Sequence, residues 1–164
     1  MPERRISFRK KSKNRIPKRR KRCFDQTPIK NLSEREKLEI MTLEEIKGIL
    51  DAEVLVGNEC MDIEVRDAFA ADLLSDVLAF AREGTLLLTG ITNPQVIRTA
   101  EMLELIGIVF VRGKRPDEDA VKLAQIKKVP LLSTRYILFE TCGRLFKNGL
   151  TGCIKRVEDD RKKA

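Results

Sequence analysis

Three segments of this chain share one construction, an apolar run followed by a stretch of helical period. GTLLLTG leads into NPQVIRTAEMLEL, GIVFVRG into PDEDAVKLAQIKK, and VPLLST into RYILFETCGRLFKNG, with starts about 23 residues apart, the length of a β-α unit. Near-continuous apolar strands, each followed by an amphipathic helix, mean parallel strands buried on both faces and joined by right-handed crossovers. The predicted fold is therefore α/β, a three-layer α/β/α sandwich with a mainly parallel sheet.

Upstream, Thr42 with Glu45 three positions on forms a capping box. It opens a short helix, TLEEIKGILD, whose Leu43, Ile46 and Leu50 share a face. AEVLVG reads as a short strand ending at Gly57, NECMDI as a turn, and EVRDAFAAD as a second strand with Val65, Asp67 and Phe69 on one side. LLSDVLAFARE returns to the helical period, with Leu73, Val77 and Phe80 in line. Helix ends are marked by Asn93 with Pro94, by Pro116 with Asp117, Glu118 and Asp119 near the positive dipole end, and by the Asn148-Gly149 stop. This places the α/β domain at residues 41–150, between a basic tail at 1–40 and a charged C-terminal tail at 151–164.

Charge is unevenly placed. Residues 1–30 hold 13 Lys or Arg against Glu3 and Asp25, so this segment carries +11 of a net +8 and the remainder is −3. Like charge with prolines at 2, 17 and 28 and no apolar period cannot bury enough surface to offset its ordering entropy. Its use would be electrostatic, with nucleic acid condensing along residues 4–22 in a salt-sensitive, sequence-blind way. Two readings compete with that one. Met41 directly precedes the capping box, so the tail is also consistent with a start-site artefact or a solubilising extension; contact with a membrane surface is the other, weakened by the scarcity of apolar residues. No apolar run approaches the roughly 20 residues that span a bilayer, and no signal-peptide core stands at the N-terminus. The expected location is cytoplasmic, without membrane contact.

Cys23, Cys60, Cys142 and Cys153 form no CxxC pair, and the chain has no histidine. Reduced, structural thiols and no metal site follow from that spacing. The commonest general base is missing as well, and no cofactor is expected.

Ligands of open parallel sheets bind at the carboxyl ends of the strands, where the β-α loops gather. Those loops read TGITN, RGKRP and STR, bringing Thr89, Gly90, Thr92 and Asn93, then Arg112, Lys114 and Arg115, then Ser133, Thr134 and Arg135 to one edge. Hydroxyls, an amide, four cations and helix N-terminal amides suit an anion such as a nucleotide or phosphorylated metabolite. TGITN is neither a GxxxxGK[ST] loop nor a GxGxxG turn. A Thr-Gly turn before an N-cap Asn joins strand to helix without any ligand, so the structural reading of Gly90 and Pro94 stands beside a phosphate contact. RGKRP is more suggestive, although charged loops are commonly just solvated.

Among the carboxylates, Asp67, Asp72 and Asp76 would form an acid, base or Mg²⁺ cluster if the EVRDAFAAD junction turned toward the cleft. Asp72 reads more simply as the N-cap of LLSDV. Gly143 inside the last helix costs roughly 1 kcal/mol relative to Ala, which points to close helix-to-sheet or subunit packing.

With these elements placed, TLEEIKGILDAEVLVG, VRDAFAADLLSDVLAFAREGTLLLTG, NPQVIRTAEML and VPLLSTRYILFETCGRLF together resemble a DRTGG domain over about residues 41–150. The resemblance implies a three-layer fold similar to the N-terminal domain of HPr kinase, without that enzyme's phosphate-loop domain. It also implies a regulatory or dimerising module of the kind found beside CBS domains in regulatory pyrophosphatases. One departure stands out: the Thr-Gly-Gly step of the family's name is Thr89-Gly90-Ile91 here, and no Asp-Arg pair occurs in that loop. The expected function is a non-catalytic regulatory or sensor module, homodimeric by the family resemblance and by Gly143, with an anionic ligand at the strand edge. A nucleic-acid-associated protein is the alternative, and a small enzyme using the Asp67, Asp72 and Asp76 cluster comes third.

Overall fold

The first helix starts where its chemistry requires. The Thr42 side chain accepts from the Glu45 amide at 3.2 Å, and the Glu45 carboxylate accepts from the Thr42 amide at 2.8 Å, so two of the donors that a helix start leaves unpaired are satisfied reciprocally. The computed structural model describes residues 40–154 and Arg156. The basic tail, with Cys23, and most of the C-terminal charged segment lie outside the described residues.

In chain order the elements are β1 (Met41–Thr42), α1 (Leu43–Ile49), β2 (Glu53–Val56), β3 (Glu64–Val65), β4 (Asp67–Ala70), α2 (Leu74–Phe80), β5 (Leu86–Thr89), α3 (Pro94–Met102), β6 (Gly107–Phe110), α4 (Glu118–Lys127), β7 (Leu131–Ser133), α5 (Leu138–Lys147) and β8 (Thr151–Gly152). Six strands form one sheet in the order β2-β7-β6-β5-β4-β8. All neighbours in it are parallel except β2, which runs antiparallel to β7 at one edge. β1 and β3 pair separately as an antiparallel ribbon.

The apolar strands are buried on both sides because successive residues serve opposite layers. Leu86, Leu88, Val109 and Leu132 pack with Leu43, Ile46 and Leu50 of α1 and Leu145 of α5. Leu87, Ile108, Phe110 and Leu131 face the other way, onto Val77 of α2, Val96, Ile97 and Ala100 of α3, and Ala120 and Ala124 of α4. Helices on both faces of a mainly parallel sheet make the three-layer sandwich expected from the repeated units.

Several local expectations are corrected. EVRDAFAAD is not one strand: Val65 pairs with Met41 in the small ribbon while Asp67–Ala70 joins the main sheet, and Arg66 is the break between them. Leu73 is exposed outside the helix rather than in line with Val77, because α2 begins at Leu74. Asn93 stands at the N-cap of α3, yet its side chain makes no capping bond, and Pro94 fills the first turn. α5 begins at Leu138, not Arg135, which leaves Arg135 and Tyr136 in the loop after β7. Thr151 and Gly152, assigned to the tail by sequence, add strand β8 beside β4.

The capping box is the simplest point at which to test this architecture. Thr42→Ala should lower unfolding free energy by about 1 kcal/mol, read as a lower urea midpoint at unchanged slope.

A candidate ligand cleft at the carboxyl edge of the sheet

Strands β5, β6 and β7 are adjacent and parallel, so their three following loops meet at one edge as the sequence requires. What the side chains do there differs from a ring of waiting donors. Thr89, Ser133 and Thr134 are buried, and their hydroxyls hold protein. The Ser133 hydroxyl donates to the Lys114 carbonyl at 2.9 Å, and that of Thr134 donates to the Leu50 carbonyl at 2.7 Å while accepting from the Tyr136 amide at 3.2 Å.

The Thr89-Gly90 turn is occupied by a carboxylate. Asp72 Oδ1 accepts from the Gly90 amide at 2.6 Å and from the Thr89 hydroxyl at 3.2 Å, and its Oδ2 accepts from Arg112 Nη2 at 2.6 Å. A free backbone amide in the loop between a strand and the following helix is where a phosphate would dock, and at Gly90 Asp72 already stands there. Burial pushes the Asp72 pKa up, but the Gly90 amide, the Arg112 guanidinium and the Thr89 hydroxyl outweigh it and hold the carboxyl below its ordinary value. The expectation that Asp72 caps α2 is overturned: Leu73 is the N-cap, with no side-chain bond.

Arg112 is held from several sides. It lies in the left-handed region at φ 65°, as does Gly113 at φ 65°. The strain of that conformation for a side chain with a Cβ is offset by the Arg112 amide donating to the Tyr136 carbonyl and the Gly113 amide to the Thr134 carbonyl, both at 2.8 Å. Its guanidinium covers Gly90 so closely that a Cβ there would stand 1.7 Å from Nη2. A side chain at Gly90 would displace the mobile end of Arg112, and with it the Asp72 pair, rather than meet backbone.

The other cations are engaged as well. Lys114 Nζ donates to the Gly90 carbonyl at 2.8 Å, and Arg115 pairs with Glu53 of β2. Glu53 reaches this edge because β2 is antiparallel, which sets its first residue opposite Ser133. Arg135 is exposed and, among the described residues, makes no ion pair. It lines a cleft of about 470 Å³ with Asp51, Glu53, Gly113, Arg115, Ser133 and Thr134. Thr92 is half-buried and Asn93 exposed, beside the Asp72-filled turn and not among the cleft's lining residues.

The carboxylate cluster does not form. Asp67, at the first residue of β4, accepts from the Thr85 hydroxyl at 2.7 Å, at the opposite end of the strand from Asp72. Asp76 lies in the first turn of α2. No group of three or more Cys, Asp or Glu suited to a metal occurs among the described residues. The sequence did not point to Glu53 and Asp51 at the cleft, nor to Asp72 as the partner of the Thr89-Gly90 turn. The signal for Asp72 was available, since it follows β4 as Gly90 follows β5, and counting β4 as a parallel neighbour would have added its loop to the edge.

The sequence profile of the DRTGG domain matches residues 45–147. The chain belongs to the DRTGG domain family. No curated protein matches it. Among solved structures it is similar to the CBS and DRTGG domains of the regulatory region of Clostridium perfringens pyrophosphatase, complexed with the activator diadenosine tetraphosphate. The likeness has 18% identity and a TM-score of 0.55, and covers 73% of this chain and 51% of that one. This DRTGG chain thus spans about half the length of that relative. No helix among its described residues is long and apolar enough to cross a membrane. Residues 4–22, the proposed nucleic-acid contact, lie outside the described residues.

The Asp72 network carries a definite pH signature. A carboxyl whose folded pKa is lowered stabilises the fold above its unfolded pKa, and that contribution is lost as pH falls through the folded value. Acid titration of stability should therefore show a larger loss below about pH 4 for the wild type than for Asp72→Asn, with Asp72→Asn the less stable protein at neutral pH. Parallel curves would contradict the assignment.

Proposed function

We propose that this DRTGG protein is a non-catalytic, cytoplasmic regulatory module that binds an anionic small ligand of the nucleotide class in the Arg115-Arg135 cleft. The observation that carries the reading is the composition of the cleft. Two guanidinium groups and two carboxylates, Asp51 and Glu53, line about 470 Å³. A bare phosphate would meet the carboxylates at a cost. A nucleotide answers both signs, placing phosphate on the guanidinium groups and base or ribose donors on the carboxylates. Arg135 supplies the first contact because its charge is not spent internally. Lys114 and Arg112, bonded to Gly90 and Asp72, fix the two sides of Gly113, and Thr89, Ser133 and Thr134 hold the loops around the cleft. That the related regulatory region was crystallised with a dinucleotide activator agrees with this ligand class.

Among the described residues no nucleophile and base lie in contact at the cleft, in keeping with a binding rather than a catalytic reading. Ligand occupancy must then be passed on through a protein surface, and the acting unit in this reading is a homodimer.

Thermal unfolding of the full chain at 150 mM salt tests the ligand. Diadenosine tetraphosphate, ATP or AMP at 100 times its dissociation constant should add about 2.7 kcal/mol to stability, inorganic phosphate much less. Arg135→Ala should remove the effect, and Lys122→Ala, on the exposed side of α4, should retain it. No shift with any nucleotide, or an equal shift in Arg135→Ala, would overturn the reading.

A further inference from the structure

The outer face of α5 is apolar and uncovered. Phe139 and Phe146 are 84% and 70% exposed, and at seven residues apart they lie on one side of the helix, with Gly143 between them. Thr141 and Leu145 take the opposite side, into the core. Beside this face runs a groove of about 420 Å³, whose lining includes Ala68, Ala70, Phe139, Gly143, Phe146 and Ile154. Two aromatic side chains left in water on one helix are unusual unless something covers them.

Gly143 narrows what that is. A Cβ built on it meets no heavy atom within 4 Å. Packing of α5 on its own sheet, one explanation for a glycine in a helix interior, is therefore excluded. The glycine weakens the helix without benefit inside the monomer, and its notch opens outward, flanked by the two phenylalanines. A notch between two rings on one helix is complementary to itself. Turning a second α5 antiparallel about a two-fold axis near Cys142 and Gly143 sets Phe139 of each copy against Phe146 of the other, while the paired glycines let the helices approach.

Charge agrees with the same operation. Glu140 and Arg144 stand on one flank of the face and pair within the helix at 2.8 Å. An antiparallel arrangement brings the Glu140 flank of one copy to the Arg144 flank of the other, so the pairs join into a network of alternating sign. A parallel arrangement would carry the two charged flanks to opposite sides of the interface, where they could not pair.

We infer that α5 is the self-association surface of this protein, with a second copy of the chain as the occupant of the Phe139-Gly143-Phe146 face. This rests on the homodimer reading above and adds its location and symmetry. Sedimentation velocity of the full chain over a range of concentrations should show a species of twice the 18.8 kDa chain mass. Phe139→Asp and Phe146→Asp should each weaken it by about thirtyfold or more, the effect of losing a central aromatic anchor. Both side chains are exposed, so far-ultraviolet circular dichroism should show unchanged folding, and Phe146→Ala provides a milder variant with the same direction. Glu140→Arg should weaken association and Glu140→Arg with Arg144→Glu should restore it. A wild-type chain that is monomeric at every concentration would overturn both the homodimer and this surface. A dimer that survives both aspartate variants would overturn the surface alone, and failure of the double charge reversal to restore association would overturn the antiparallel symmetry.

Discussion

The carboxylate of Asp72 ties together three chain segments that parallel topology brings to one edge but does not itself bind. A parallel sheet ends in loops with unpaired amides and, here, an excess of cations. Asp72 takes the Gly90 amide, the Thr89 hydroxyl and the Arg112 guanidinium, and so joins the loops after β4, β5 and β6. Arg112 then sits against Gly90 and lends its own amide to Tyr136 in the loop after β7. The edge is ordered by its own anion. Its electrostatics follow: the positive field suggested by the loop sequences is largely neutralised, and the cleft that remains lies toward β2 and β7, where both signs are present.

The cleft and the α5 face are connected by a short stretch of chain. Ser133 and Thr134 frame the cleft, Arg135 offers it a charge, and Tyr136 follows directly, with the Arg144 guanidinium 3.9 Å from its ring centroid. Arg144 belongs to α5 and flanks the proposed self-association surface. A ligand that moved Arg135 would act on a loop whose next residue lies against Arg144 of α5, the helix proposed to meet a second copy. In the proposed regulatory reading, this loop is the segment through which the two sites would be coupled.

Much of the architecture was legible in the sequence because it is written in local signals. The capping box of Thr42 and Glu45, the acidic start of α4 after Pro116 and the fully apolar run Leu86 to Leu88, buried toward both layers, each depend on residues a few positions apart. The site was less legible because its decisive contacts are long-range. Asp72 to Arg112 spans 40 residues and Arg115 to Glu53 spans 62, and a sequence does not state that β2 will run antiparallel and deliver Glu53 to the edge. Asp72 illustrates the competition directly: a residue suited to capping α2 finds stronger donors across the sheet, and α2 starts without a side-chain cap. Gly143 shows the reverse case, in which a local oddity was noticed and only the surroundings could say which of its two explanations fails.

Asp72 closes the Thr89-Gly90 turn, and the part of the edge left open is the cleft at Arg135. Amide chemical shifts of the isotopically labelled protein, followed while ATP is added at 150 mM salt, test this most directly. Saturable shifts are expected at Gly113, Thr134 and Arg135, with the Gly90 and Ile91 amides changing little. Largest changes at Gly90 and Ile91, with none at Arg135, would mean that the ligand displaces Asp72 and that the cleft has been placed on the wrong side of Arg112.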